Sequence, residues 1–472
     1  MSSTGKGPRF LGTTLLYFTG TVLAKIAVFL LLPLYTAKIP AAELGAMDVS
    51  VALAVFAASV ILLDVGVAIL RFYLQAEEGE QGRVLSTGLC LVGVLTALYL
   101  LLALLAFLLL DIAHFWLIAL YGIANVLLLA VGHVARAIGA RVRYMLSGLV
   151  AALLQVSLAL LFVPVLQMGI RGLYLAYIIG ALGGIAAALS APTLWRTLLK
   201  ARPSRALFLQ MLRFALPLGA SAAAFLVLSS LARVLTFYCF GSQAAGELAV
   251  ALKFSQIILL VSACFQLAWQ ELALAKSIVG DSPAYYTVRV DLFLRVAFSC
   301  LLLLIPLSAL FLTVFPHFIG GEYAGAEKLL PVAFLFSFFA IVATFFEPIL
   351  ARYGKTCTLL FTTLAGAILN LALAALVILL GGGAVWILAA GVVSFLAVTL
   401  IRVILLTRAG VLRLSPWRYL ALALPLAAVM AVYYLCTPVW QAVALTLALF
   451  LAMAVLLPEL LLILTRLSAR EK

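Results

Sequence analysis

Charged residues are scarce in this sequence. Only 10% of its 472 residues are Asp, Glu, Lys or Arg, whereas 67% are hydrophobic. Because about a quarter of the residues in a soluble globular domain are charged, this composition argues against a water-soluble fold. Segments of ~10 residues with alternating polarity, which would indicate a membrane β-barrel, are lacking as well. The hydrophobic residues instead form runs long enough to cross ~30 Å of hydrocarbon as helices, which predicts an all-α integral membrane protein.

The residues of common catalytic and metal sites are also few. The sequence has three histidines that are far apart (His114, His133 and His317), and its six cysteines form no CxxC pair. No GxxxxGKS or GxxxxGKT loop is present to bind the phosphates of a nucleotide. We therefore expect no catalytic residue, no metal site and no cofactor, and we interpret the cysteines as packing residues.

A formal net charge of +14 would suit a nucleic-acid-binding protein. The basic residues, however, are dispersed in short loops between hydrophobic runs, so we expect no nucleic-acid partner. Their distribution instead follows the positive-inside rule. With both termini placed in the cytoplasm, most Lys and Arg residues fall on the cytoplasmic side, and Lys38, Arg171 and Lys328 are those in the outer loops.

The hydrophobic runs predict about fourteen membrane-spanning helices. All six tryptophans fall near the ends of these spans, where indole rings favour the membrane–water interface. No segment between the spans is long enough for a soluble catalytic, nucleotide-binding or receptor domain. The predicted spans are 11–35, 44–70, 84–110, 115–135, 144–165, 170–194, 214–238, 246–272, 291–316, 328–350, 357–379, 385–406, 417–437 and 440–465.

A weak internal repeat predicts two halves. Leu23–Ile26 in span one resembles Leu231–Val234 in span seven, and in each half a Glu-Leu pair opens the next span. Transporters are commonly built from such repeats, with the substrate site between them. We therefore predict an N-terminal lobe of six helices (1–195), a basic cytoplasmic linker (196–213), a C-terminal lobe of six helices (214–408), and two further helices with a cytoplasmic tail (409–472).

Three basic residues are predicted to lie at membrane depth. Lys25 in span one and Arg233 in span seven occupy matching places in the two halves, and Lys253 lies in span eight with Gln256 on the same helix face. A charge in hydrocarbon costs about 2.5–3.5 kcal/mol, so it normally faces a protein or water-filled interior. Facing one cavity, these residues would bind an anionic group such as a diphosphate. The alternative is that each cation pairs with a nearby acid or extends to the membrane surface.

Three acidic residues are also predicted at membrane depth. Asp48 lies near the outer end of span two, Asp64 lies toward its inner end, and Glu347 precedes Pro348 in span ten. Each is a candidate to bind a coupling proton or cation, and each is equally a candidate counter-ion, as Asp64 would be for Arg71. The sequence leaves both roles open.

Several motifs resemble those of one transporter family, in the order in which that family carries them. The motifs are Leu32–Thr36 followed by Ala41–Gly45, Arg71–Tyr73 followed by three glutamates, Ala215–Pro217 through to Arg233, Phe265–Gln270, and Gly321–Ala326. They resemble the corresponding segments of the polysaccharide-biosynthesis (Wzx-like) flippases. These flippases belong to the superfamily that also contains multidrug-and-toxin exporters and lipid II flippases.

The resemblance implies two six-helix lobes around a central cavity, working by alternating access in a bacterial plasma (inner) membrane. It also implies a polyprenyl-diphosphate-linked oligosaccharide as substrate, with membrane lipid, a polysaccharide polymerase and glycosyltransferases as partners. One departure concerns Arg233, because the family often has Asp immediately before this residue and the chain has Ala232. Either Arg233 is freer to bind substrate anions, or its acidic partner lies elsewhere in the sequence.

Two other functions fit the sequence less well. A cation-coupled multidrug exporter of the same superfamily would need acidic residues in the cavity, where this chain has Lys25 and Arg233. A membrane-bound polysaccharide polymerase, ligase or glycosyltransferase would need a sizeable outer loop with catalytic residues, and the predicted outer loops are short. We therefore expect a flippase and not an enzyme.

Overall fold

The computed structural model describes residues 31–77, 79–192, 194–195, 201–258, 269, 283–315, 318–353, 356–414, 416–435 and 439–453. Helices account for most of these residues, and no strand occurs within these ranges. The helices are α1 (Leu32–Lys38), α2 (Ala41–Leu62), α3 (Val65–Gln75), α4 (Gln81–Leu109), α5 (Phe115–Ala137), α6 (Arg141–Leu160), α7 (Gly169–Leu189), α8 (Arg205–Ser255), α9 (Pro283–Val314), α10 (Ala326–Phe345), α11 (Glu347–Arg352), α12 (Thr356–Leu379), α13 (Ala384–Arg408), α14 (Pro416–Leu435) and α15 (Val439–Met453).

Ten helical segments of the described chain are long and hydrophobic enough to cross a membrane, and shorter hydrophobic helices occur in α14 and α15. This confirms the predicted all-α, multi-pass membrane architecture. The 51 residues of α8 cover predicted span seven and the first part of span eight. Most of predicted span one, and parts of spans eight and fourteen, lie outside the described residues.

Contacts between the helices divide the chain into two compact units. Unit 1 comprises Met1–Gly246 and Lys355–Ile368, and unit 2 comprises Glu247–Gly354 and Leu369–Lys472. Unit 1 contains the whole predicted N-terminal lobe together with parts of the predicted C-terminal lobe, whereas unit 2 contains the rest of the C-terminal lobe and residues 409–472. The lobe boundaries near residues 195 and 214 stay a prediction.

In unit 1, α5 packs against α2, α3, α6 and α7. A hydrophobic core lies between α2, α3, α4 and α5, with Ile69, Leu85 and Leu91 fully buried. Without a hydrophobic driving force in lipid, helices associate where small residues let the backbones approach closely. Gly184 of α7 provides such a contact, since a Cβ atom there would lie 2.6 Å from the carbonyl oxygen of Ser147 on α6.

In unit 2, α10 is the central helix and packs against α9, α13 and α14. Three aromatic rings stack at its end: Phe293 and Phe345 have centroids 3.8 Å apart, and Trp269 stacks on Phe345 at 5.0 Å. The indole Nε1 of Trp269 donates to the carbonyl oxygen of Phe345. Trp269 is therefore buried, which differs from the interfacial position predicted for the tryptophans.

Candidate functional site

Arg233 and Asp48 form an ion pair within unit 1. The Nε atom of Arg233 on α8 lies 3.1 Å from Oδ2 of Asp48 on α2, and the two side chains are 22% and 21% exposed. The Nε atom is buried but makes no hydrogen bond of good geometry to any residue in the described ranges, so its attraction to Asp48 is electrostatic and not directed. Because a guanidinium carries five N–H donors in a planar fork, Arg233 has the capacity to bind a second anion beside Asp48.

Arg233 is not close to a helix end. Its helix continues for eight residues to Gly241, where a φ of 89° interrupts the helical backbone. Eight residues correspond to about 12 Å of helix, at about 1.5 Å of rise per residue. The guanidinium therefore pairs with a neighbouring helix at this depth, and the acidic partner that the sequence did not identify is Asp48.

Two glycines bring α2 and α8 into backbone contact near this ion pair. A Cβ atom on Gly45 would lie 2.1 Å from the carbonyl oxygen of Ser242, and one on Gly246 would lie 2.1 Å from that of Ala41. Any larger residue at either position would force the helices apart. Gly45 precedes Asp48 by three residues, so the glycine contact and the ion pair share one face of α2. We call this contact the glycine crossing.

Four tyrosines from α1, α5 and α7 form a group beside Asp48, which we call the tyrosine cluster. The hydroxyls of Tyr35 and Tyr177 are 3.2 Å apart, and either can donate to the other. The rings of Tyr121 and Tyr177 pack edge to face with their centroids 5.6 Å apart. Tyr174 is the fourth member, and the helices α5 and α7 both pack against α2, which carries Asp48. The cluster and the ion pair therefore involve helices that are direct neighbours.

Two smaller polar side chains contact the tyrosine cluster. Nδ2 of Asn125 donates to the hydroxyl of Tyr121, one turn earlier on α5, at 3.2 Å. Ser50 of α2 shares a side-chain hydrogen bond with Tyr174. Tyr121 is six residues from the start of α5, or about 9 Å along the helix, so these polar groups lie within the span. Polar groups at that depth are costly in lipid and are typical of functional sites.

Asp64 lies at a break in predicted span two. Leu63 and Asp64 both have a φ of 52°, in the left-handed region, and they separate α2 from α3. Left-handed backbone costs about 1–2 kcal/mol for a residue other than glycine. Gly219 of α8 packs directly on the break, because a Cβ atom there would lie 2.5 Å from the Cα atom of Leu63. Neither position is a glycine or a proline, so no local signal in the sequence marks this break within the predicted span 44–70.

Arg71, for which Asp64 was a candidate counter-ion, has an aromatic partner. Its guanidinium carbon lies 4.3 Å from the ring centroid of Phe214 on α8, which is a cation–π contact. The ring of Phe72 also packs edge to face on Phe214, at 5.9 Å. The RFY motif that contributed to the family resemblance therefore joins α3 to α8.

Glu347 pairs with an arginine that the sequence analysis did not single out. The Nη1 atom of Arg402 on α13 donates to the carbonyl oxygen of Ala343 at 2.7 Å and to Oε1 of Glu347 at 3.1 Å. Arg402 is 1% exposed. Because Pro348 has no N–H and its ring clashes with the preceding turn, α10 ends at Phe345. Arg402 thus binds a carbonyl oxygen in the last turn of α10.

The predicted cationic residues fall in both units. Arg233 belongs to unit 1, whereas Lys253, half-buried near the end of α8, and the exposed Gln256 belong to unit 2. Lys25 lies outside the described residues. The convergence of these residues on one anionic group stays a prediction, as does an ion-coupling role for the three membrane-depth acids.

Sequence reasoning missed the tyrosine cluster. Its signal is present as helical spacing, with Tyr121 and Asn125 four residues apart and Tyr174 and Tyr177 three residues apart in otherwise hydrophobic runs. Residues at these spacings share a helix face. Each pair alone is equally typical of tyrosines at the membrane interface, and only the packing of α1, α5 and α7 shows that the hydroxyls meet.

Comparison with known proteins gives a structural likeness. No protein-family model matches the chain, and no curated protein is detectably similar to it in sequence. A solved structure of the lipid II flippase MurJ, in an inward closed conformation, is similar with a TM-score of 0.64 and 14% identity, over 93% of this chain and 98% of that one. An outward-facing multidrug resistance MATE family transporter of the MOP superfamily is similar with a TM-score of 0.60 and 14% identity, over 85% and 97% of the two chains.

This chain has the fold of the MurJ and MATE structures. A third structure, of MATE in the straight conformation, agrees with a TM-score of 0.55 and 16% identity over 84% of this chain and 96% of that one. It is the fold that the resemblance of the sequence motifs implied. At such low identity the likeness concerns the fold, so the substrate must be argued from the residues of this chain.

Proposed function

We propose that this protein is a flippase that moves polyprenyl-diphosphate-linked oligosaccharides from the cytoplasmic to the outer leaflet of a bacterial plasma membrane, for polysaccharide biosynthesis. The observation that carries the proposal is the partly exposed guanidinium of Arg233, held within a span beside Asp48. A diphosphate offers the planar fork two or more acceptor oxygens at once. A diphosphate should therefore compete well for Arg233 with the Asp48 carboxylate, which makes no directed hydrogen bond to Nε.

The state of the acidic residues weighs against export of cationic drugs. Asp48 is 3.1 Å from Arg233, and Glu347 is hydrogen-bonded to Arg402. A carboxylate already neutralised by a guanidinium attracts a cation less strongly, since the arginine repels that cation at nearly the same distance. Two of the acids that would be needed to bind a cationic substrate are therefore engaged with arginines.

The comparisons are compatible with a lipid substrate. One similar structure is that of a lipid II flippase, so this fold serves a lipid substrate in that protein. Another is that of a multidrug resistance MATE family transporter, so the fold serves multidrug transport in that one. In the proposed role, glycosyltransferases supply the lipid-linked unit on the cytoplasmic side, and a polysaccharide polymerase consumes it on the other side.

A binding experiment tests the proposal. The purified protein in lipid nanodiscs is titrated with undecaprenyl diphosphate and, separately, with the cationic dye ethidium. We expect undecaprenyl diphosphate to bind and ethidium not to bind. Arg233→Gln should weaken the binding of undecaprenyl diphosphate about 10-fold or more, which is the range for loss of a charge-assisted hydrogen bond. Arg233→Lys should retain part of the affinity.

Arg295 provides the matched control. It is 27% exposed and pairs with Asp291 on the same helix of unit 2, so Arg295→Gln also removes a half-exposed, ion-paired arginine. We expect that variant to bind undecaprenyl diphosphate as the wild type does. Ethidium binding without undecaprenyl diphosphate binding, or an equal loss in both arginine variants, would contradict the flippase assignment.

A further inference from the structure

We propose that the tyrosine cluster binds the sugar directly attached to the diphosphate of the cargo. This inference rests on the proposed function and names a second part of the same substrate site. It concerns Tyr35, Tyr121 and Tyr177, together with Asn125 and with Asp48, the acidic partner of the Arg233 guanidinium that is proposed to bind the diphosphate.

The chemistry of the cluster matches a sugar better than a phosphate. Phenol hydroxyls both donate and accept hydrogen bonds, and the amide of Asn125 offers two donors and an acceptor. Each sugar hydroxyl likewise donates and accepts, whereas a phosphate oxygen chiefly accepts. The Asp48 carboxylate can accept from a sugar hydroxyl but repels a phosphate at the same position. The aromatic rings also provide apolar faces on which the C–H face of a pyranose packs.

The geometry places these groups where that sugar must be. The first sugar is bonded to the distal phosphate, so it must lie within a few ångströms of the cation that holds the diphosphate. The ion pair joins Arg233 to Asp48 at 3.1 Å, and the helix that carries Asp48, α2, packs against the helix that carries Tyr121, α5. From Tyr121 the cluster continues through an edge-to-face ring contact to Tyr177, whose hydroxyl is 3.2 Å from that of Tyr35.

Packing alone does not account for this arrangement. Phenylalanine would fill the same space without placing hydroxyls inside a membrane span, where each polar group is costly. The cluster is also accessible in part, because Tyr121, Asn125 and Tyr177 are half-buried, whereas Tyr35 is fully buried. The half-buried side chains are the members available to a ligand.

The test compares two probes on the full protein in nanodiscs. One is undecaprenyl diphosphate, and the other is a panel of the same lipid carrying glucose, galactose or N-acetylglucosamine. We expect the wild type to bind at least one glycosylated probe more tightly than the bare lipid. Tyr121→Phe with Tyr177→Phe removes two hydroxyls and keeps both rings. It should weaken binding of that glycosylated probe roughly 5- to 150-fold, since each of the two hydrogen bonds contributes about 0.5–1.5 kcal/mol.

Tyr99 is the matched control for the phenol substitutions. It is a buried tyrosine of unit 1, outside the cluster, and its hydroxyl donates to the carbonyl oxygen of Ala119. Tyr99→Phe should leave the affinities for both probes unchanged. Arg233→Gln should lower the affinities for both probes, because each carries the diphosphate.

The outcomes separate the two proposals. If the wild type binds neither probe, both the flippase function and this inference fail. If it binds the bare lipid but prefers no glycosylated probe, the sugar site is wrong and the flippase proposal stands. The sugar site is also wrong if the double phenylalanine variant lowers the affinities for both probes by the same factor. It is wrong as well if that variant leaves both affinities unchanged and alters only the pH dependence of transport.

Discussion

At the scale of single residues, Arg233 and Arg402 each pair with a carboxylate inside a span, but their surroundings differ. Arg402 is 1% exposed and donates to both a carboxylate and a carbonyl oxygen. Arg233 is 22% exposed, and its Nε lies near Asp48 without a directed hydrogen bond. A fully satisfied, buried donor stabilises the fold, whereas a partly exposed cation with a planar fork of donors is suited to binding a ligand.

We predict that Arg402 is required for stability. Arg402→Met should lower the free energy of unfolding by about 2–4 kcal/mol, because Glu347 and the Ala343 carbonyl oxygen lose their donor. Adding Glu347→Gln to that variant should recover part of the loss, since it removes the charge left behind. The midpoint of thermal unfolding in detergent measures both effects.

The control for this prediction lies on the same helix. Arg408 is exposed at the end of α13, so Arg408→Met should leave the unfolding midpoint nearly unchanged. If Arg402→Met and Arg408→Met unfold at the same temperature, the structural role assigned to Arg402 is wrong.

At the scale of helices, the interruptions are the features that sequence periodicity predicts least well. The end of α10 at Phe345 follows from the chemistry of proline, because Pro348 lies three residues further along the chain. The break at Leu63 and Asp64 has no such signal. Both residues have a left-handed backbone conformation, and the contact that accompanies it comes from another helix. Gly219, on a helix distant in sequence, packs its backbone on the break, and no local pattern around Leu63 encodes that contact.

We predict that Gly219 is needed to accommodate this break. In Gly219→Ala, the new Cβ atom would lie 2.5 Å from the Cα atom of Leu63, a backbone atom that cannot rotate away. Overpacking of this kind costs about 1–3 kcal/mol, which exceeds the gain of roughly 1 kcal/mol from replacing a helical glycine by alanine. The unfolding midpoint should therefore fall.

Gly93 of α4 is the control position for this prediction, because a Cβ atom there would have no neighbour within 4 Å. Gly93→Ala should raise the midpoint slightly through helix propensity alone. An equal rise in Gly219→Ala would show that the two helices are not packed as described.

At the scale of the whole molecule, the composition and the length of the hydrophobic runs were enough to predict an all-helical, multi-pass protein. Those properties depend on transfer of residues from water to lipid, which each stretch of sequence expresses by itself. The candidate site was predicted in part: Arg233 and Asp48 were each singled out, but their pairing was not. The tyrosine cluster depends on helices that are far apart in sequence, and Trp269 is buried by aromatic partners on other helices.

The glycine crossing bears on how such a protein would work. Alternating access, implied by the family resemblance, requires contacts that close one side of the membrane in one state and separate in the other. The crossing of α2 and α8 lies on the predicted outer side, next to the ion pair, and brings backbone atoms into contact. We therefore predict that it is a contact of this kind, formed when the outer side is closed.

Substituting either glycine should shift the protein toward the state in which the crossing is separated. Gly45→Ala or Gly246→Ala would place a Cβ atom 2.1 Å from a backbone oxygen, so each variant penalises the closed arrangement without altering an open one. A cysteine at Ala46, in a chain without the native cysteines, would report the shift as faster labelling by a membrane-impermeant maleimide. Gly93→Ala, whose Cβ atom meets nothing, should leave the labelling rate unchanged. If the folded Gly45→Ala and Gly246→Ala proteins label no faster than that control, the crossing does not open during transport and the movement must occur elsewhere in the molecule.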